Sequence, residues 1–215
     1  MQLNKYIEHT LLKQDARKAE LITLLDEAKK YNFLGVCVNP VNVKFASEYL
    51  KDTDIKVVTV IGFPLGQTTT ESKVLETIDA VKNGADEIDM VINSGKLKDG
   101  ELDYIINDIS AIKGACQGRV LKVILETDLL NSEEIKCACN LCIKGGADFV
   151  KTSTGFVKNG VGAKVEDVKL MYETVKSFGL GVKASGGVRD KEAAIAMIES
   201  GATRIGTSSG VKICS

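Results

Sequence analysis

Gly146-Ala147-Asp148-Phe149-Val150-Lys151-Thr152-Ser153 is the stretch on which the fold turns. Its glycine suits a helix end, its apolar pair suits a buried strand, and its polar residues follow where that strand would finish. Gly84-Ala85-Asp86-Glu87-Ile88-Asp89 repeats the pattern, and Gly201-Ala202-Thr203 repeats its opening ahead of the run Arg204 to Thr207. Successive copies lie about two strand–helix units apart, as expected of a sheet built from equivalent modules.

Working outward, short β-branched and apolar runs alternate with longer segments of helical period. The runs are Ile7 to Thr10, Gly35 to Val38, Val57 to Gly62, Glu87 to Ile92, Leu121 to Glu126, Phe149 to Ser153, Gly181 to Ala184 and Arg204 to Thr207. Helix candidates between them include Lys18 to Tyr31, Thr70 to Asn83, Glu101 to Cys116, Ser132 to Lys144, Val165 to Ser177 and Lys191 to Ser200. Eight such units predict an α/β fold, a (β/α)8 TIM barrel. A doubly wound open sheet would need a topological switch point, and nothing interrupts the regular succession. With 215 residues, 44% of them apolar, and only two prolines, the chain is read as a single domain over residues 1–215 without a linker.

Charge excludes several partner classes. The 28 Lys and Arg nearly cancel the 29 Asp and Glu, so no net field favours nucleic acid or a membrane surface. The opening residues contain no uninterrupted apolar segment, which leads us to expect a cytoplasmic protein. The six cysteines read as reduced thiols. Cys137 and Cys139 would point about 200° apart on a helix, against a metal cluster, and no metal or other cofactor is expected.

Strands of a parallel barrel are covered on both faces, so charges inside them carry information. Asp89 is flanked by apolar residues, Lys122 and Glu126 share a parity, and Lys151 and Lys183 sit inside neighbouring runs. Singly, each reads as a strand-end charge snorkelling to solvent or held in a buried pair. Together, pointing inward, they would converge at the C-terminal end of the barrel, where such folds carry their chemistry. An amine must be neutral to attack a carbonyl, and a free lysine has a pKa near ~10.4. Two ammonium groups about 4 Å apart at an effective dielectric near ~20 repel by roughly 4 kcal/mol, worth about three pKa units. Adjacent strands holding Lys151 and Lys183 at equal depth therefore point to an activated amine nucleophile.

A second constellation suits phosphate. Ser185-Gly186-Gly187-Val188 follows the seventh run, and Gly206-Thr207-Ser208-Ser209-Gly210 follows the eighth. Glycines admit an anion close to backbone N–H groups, and a helix starting at the serines would add hydroxyl donors and a positive end. A Gly-Gly turn alone is just a turn, but loops after strands seven and eight are where barrels commonly hold phosphate.

Six segments carry a family resemblance: Glu8-His9-Thr10-Leu11-Leu12, Gly35-Val36-Cys37-Val38-Asn39-Pro40, Val60-Ile61-Gly62-Phe63-Pro64-Leu65-Gly66, Glu87-Ile88-Asp89-Met90-Val91, Val150-Lys151-Thr152-Ser153-Thr154-Gly155-Phe156 and Lys183-Ala184-Ser185-Gly186-Gly187-Val188-Arg189. In matching order from about Tyr6 to Ser209, they resemble bacterial-type deoxyribose-phosphate aldolases. The resemblance implies metal-free, reversible cleavage of 2-deoxy-D-ribose 5-phosphate to acetaldehyde and D-glyceraldehyde 3-phosphate, in deoxynucleoside catabolism. Lys151 matches the Schiff-base lysine, Lys183 the neighbouring cation that favours a neutral amine, and Asp89 the acid/base carboxylate. Lys122, Thr154 and Gly155 are read as substrate-binding, Lys122 by ordering a water. Gly186, Gly187, Gly206, Ser208 and Ser209 would hold the phosphate. A homodimer is compatible with such a barrel, and nothing in the sequence selects it.

Two positions depart from the pattern. Glu8 stands where many relatives have Asp, which bears on a second proton relay. Phe156 stands where some have a phosphate-contacting Lys. His9 is read as structural. Two rivals stay open: a Schiff-base aldolase with another donor, such as a ketone, and a non-catalytic barrel that binds a sugar phosphate.

Overall fold

The computed structural model describes residues 1–215. Eight parallel strands close into a barrel in the order β1 (Ile7–Leu11), β2 (Gly35–Val38), β3 (Lys56–Ile61), β4 (Glu87–Val91), β5 (Val120–Ile124), β6 (Phe149–Lys151), β7 (Gly181–Ser185) and β8 (Arg204–Thr207). β8 pairs back onto β1, so no edge remains. Around them lie α1 (Lys18–Tyr31), α2 (Val43–Leu50), α3 (Thr70–Lys82), α4 (Ser94–Lys98), α5 (Leu102–Ala115), α6 (Ser132–Gly145), α7 (Val165–Val175), α8 (Lys191–Glu199) and α9 (Gly210–Cys214). All eight predicted runs are strands and all six predicted helices form, within a few residues at their ends. The short α2 and α4 were not foreseen. They span eight and five residues, too few for a helical period to stand out.

The structure shows why the Gly-Ala-Asp segments recur. Gly84, Gly146 and Gly201 turn the chain out of α3, α6 and α8 at φ of 99°, 80° and 108°, angles that a side chain would resist. Ala85, Ala147 and Ala202 are buried. Asp86 Oδ2 then accepts the Val57 N–H at 2.8 Å and Asp148 Oδ2 the Leu121 N–H at 2.7 Å. Each aspartate thus pins the start of the strand before its own.

A 46-residue apolar cluster lies between the sheet and the helices. Inside the barrel, a cluster of only four apolar residues, Leu12, Cys37, Val58 and Val60, packs with Phe63. The remaining interior is charged. No helix is long and apolar enough to cross a membrane.

Candidate active site

Register sets the interior layers. Asp89 pairs with Lys122, Ile124 with Lys151, and Lys151 with Lys183. Alternation then sends Glu8, Asp89, Lys122, Lys151 and Lys183 into one shared space. Asp89 is its hub. Its Oδ2 accepts from Lys151 Nζ at 2.8 Å and from Lys183 Nζ at 2.7 Å, and its Oδ1 from Lys122 Nζ at 3.0 Å. Lys183 also donates to Glu8 Oε2, and Lys122 pairs with Glu87. Arg204 approaches Glu8 at 3.5 Å and Glu87 at 3.6 Å.

Every member of this network except Arg204 is almost entirely closed to solvent. Burial alone would raise the carboxyl of Asp89, but Lys122, Lys151 and Lys183 outweigh it and hold that group well below the usual carboxylate range. Glu8 is likewise depressed, with Lys122 and Lys183 overcoming its burial. Burial would lower the Lys183 ammonium, yet Asp89 and Glu8 hold its pKa above the ordinary lysine value. Lys183 is therefore a fixed cation beside Lys151. The repulsion expected from two bare lysines is damped, because one Asp89 oxygen bridges both.

Lys151 differs from Lys183 in access. Its side chain is 4% exposed and lines the floor of a cavity of about 320 Å3. Across that cavity stand Gly186, Gly187, Gly206 and Ser208. Gly186 and Gly187 adopt φ of 82° and 75°, the conformation that only glycine takes freely. Thr154, Gly155 and Phe156 form a side wall, and Lys13 and Arg189 line the same space.

The structure corrects three assignments. Lys122 does not reach the cavity: it is fully buried beneath Asp89, because it pairs with Phe149, two residues before Lys151 on β6. Its contacts are with the carboxylates of Glu8, Glu87 and Asp89. Ser209 does not line the cavity either. It precedes the five-residue α9, and its N–H bonds Thr207 Oγ1 at 2.9 Å. Glu126 leaves the charged cluster despite its parity with Lys122, because β5 ends at Ile124 and Glu126 turns to φ 60°, where it accepts from Thr154. His9 faces α1, with Nε2 2.8 Å from Glu27.

Sequence reading passed over Glu87, Arg204, Lys13 and Arg189 as site neighbours. Glu87 shares parity with Asp89 and lies in the same run, a signal that was available. Lys13 and Arg189 lie in loops, where no periodicity marks direction.

A family model described as DeoC/LacD family aldolase matches residues 4–215. The chain belongs to this family. The aldolase is 57% identical over 216 residues to the deoxyribose-phosphate aldolase of Enterococcus faecalis, covering 100% of this chain and 97% of that protein. Among solved structures it resembles QR15, an aldolase, at 44% identity and a TM-score of 0.93, covering 99% of this chain and 94% of that one. It also resembles the deoxyribose phosphate aldolase of Aeropyrum pernix, described as a unique tetramer, at 34% identity and a TM-score of 0.91, covering 99% and 89%. No group of three or more His, Cys, Asp or Glu side chains is arranged to hold a metal ion.

Proposed function

We propose that this class I aldolase cleaves 2-deoxy-D-ribose 5-phosphate reversibly to acetaldehyde and D-glyceraldehyde 3-phosphate, through an imine on Lys151, within one domain of residues 1–215. The observation that carries the reading is the position of Lys151 Nζ. It is the one lysine nitrogen of the charged network that reaches the cavity, and a shared carboxylate oxygen ties it to the fixed cation Lys183.

The chemistry follows from those contacts. Lys151 gives up its ammonium proton to water in the cavity, and the neutral amine adds to the C1 aldehyde of the open-chain sugar. Loss of water leaves a protonated imine. A base then takes the proton from the C3 hydroxyl, the C2–C3 bond breaks, and its electron pair moves into the imine to give an enamine on Lys151. D-glyceraldehyde 3-phosphate leaves. Protonation at C2 and hydrolysis release acetaldehyde and return the amine. Asp89 carries protons for these steps through water, its Oδ2 2.8 Å from the reacting nitrogen. Lys183 stays charged and, by its hydrogen bond to Asp89 Oδ2, holds that carboxylate beside the reacting nitrogen. Gly186, Gly187, Gly206 and Ser208 hold the phosphate, whose binding aligns the bond to be broken.

Borohydride reduction in the presence of acetaldehyde tests this directly. Peptide mapping of wild type is expected to find a two-carbon adduct on Lys151, absent from Lys151→Ala. An unmodified Lys151 in wild type would instead favour a barrel that binds sugar phosphate without chemistry.

A further inference from the structure

Glu126 has no part in the steps above, yet its conformation is unusual. It stands just beyond β5 with φ 60° and ψ 63°, a left-handed backbone that a side chain resists. It is 4% exposed. Such a conformation persists only where the surroundings hold it, and here they do so on both sides. Leu125 N–H donates to the Lys151 carbonyl at 2.9 Å and Thr127 N–H to the Thr152 carbonyl at 3.0 Å. The residue between them is turned so that its carboxylate faces the next loop.

Both oxygens of that carboxylate are used. Oε1 accepts the Thr154 N–H at 3.0 Å, and Oε2 accepts the Thr154 hydroxyl. Thr154 Oγ1 in turn accepts the Phe156 N–H at 3.0 Å. Gly155, at φ 82°, completes a turn whose three residues all line the large cavity. A second, smaller cavity opens behind it, bounded by Glu126, Gly155, Gly186 and Gly187. With space on its far side, the turn is held by the carboxylate at Thr154 and by the edge-on packing of Phe156 against Phe63 at the other end.

We propose that Glu126 is a positioning residue: through Thr154 it fixes the Thr154–Phe156 turn as the wall between Lys151 and the phosphate-holding glycines, and so sets the binding of the phosphorylated sugar. This rests on the substrate reading above. The role is in placing the substrate, and the amine chemistry of Lys151 does not need it.

Steady-state kinetics with 2-deoxyribose 5-phosphate and borohydride trapping of acetaldehyde separate the two. Glu126→Gln keeps shape and one acceptor, while Thr154→Val removes the hydroxyl partner. Each is expected to raise KM about tenfold, the loss of roughly one charge-assisted hydrogen bond, with kcat changed less. The double variant is expected to be no worse than the more affected single one, as for partners in one contact. Acetaldehyde adduct formation at Lys151, which needs no phosphate contact, should stay near wild type. An unchanged KM in both variants would overturn the proposal, and so would a loss of trapping that tracks the loss of turnover. Absence of the adduct in wild type would remove the aldolase reading itself, a result distinct from either.

Discussion

Three carboxylates and three lysines share the barrel centre, and their contacts decide which lysine is left to face the cavity. Lys122 meets three carboxylates and Lys183 two, whereas Lys151 meets Asp89 alone and faces the cavity. Removing one partner strands the others without water. Lys122→Met takes one cation from Glu8, Glu87 and Asp89 together, and is expected to destabilise the protein by about 3–5 kcal/mol, measurable by denaturant unfolding. Because Lys122 stays clear of the cavity, its kcat should fall more than its KM rises. Acid acts on the same network. Asp89 and Glu8 titrate below their unfolded values, so their stabilisation is complete above the ordinary carboxylate range near ~4 and is lost as pH falls through the folded values. Asp89→Asn should therefore flatten the acid limb of Tm against pH. The charged positions 89, 122, 151 and 183 were visible in the sequence because charges are rare in covered strands. That Glu8 would bind Lys183 was not, since Glu8 and Lys183 meet only when β8 closes onto β1.

At the scale of elements, the loops after β6 and β7 behave as one unit. Thr152 Oγ1 donates to the Ser185 carbonyl at 2.8 Å and accepts the Ser185 N–H at 2.9 Å, and Ala163 N–H reaches the Gly186 carbonyl at 3.0 Å. Gly162 sits against that carbonyl at φ 83°, and a Cβ there would lie 2.5 Å from Gly186 backbone atoms. Gly162→Ala is expected to cost about 1–2 kcal/mol for the left-handed backbone alone. It should also displace Gly186, raising KM for the phosphorylated sugar while acetaldehyde trapping persists. Kinetics and thermal unfolding of the one variant check both. That the glycines after β7 would line the site was legible from their place in the strand count. The support from Gly162 was not, because close approach of two loops leaves no period in either.

Across the whole molecule, the layer between sheet and helices holds one ion pair sealed from solvent. Lys73 Nζ meets Asp108 Oδ2 at 2.6 Å and the Val91 carbonyl at 3.1 Å, while Thr70 donates to Asp108 Oδ1 at 2.7 Å. These contacts tie α3 and α5 to the end of β4, the strand that carries Asp89. Asp108→Leu leaves Lys73 buried and unpaired, which should cost about 3–5 kcal/mol and lower Tm by on the order of 10 °C. Adding Lys73→Met should recover most of it, with calorimetry as the readout. In sequence, Lys73 reads as an ordinary solvated helix lysine, and only packing reveals otherwise. The chain alone determined the eight units, the barrel, the amine chemistry and the glycine-rich loops, because strand period, helix ends and rare buried charges are local signals. Tertiary structure decided which lysine meets the cavity, that Lys122 and Ser209 do not, and that Glu126 serves a loop. Those outcomes depend on register and on where each strand stops, and both are set by pairing between segments far apart in the chain.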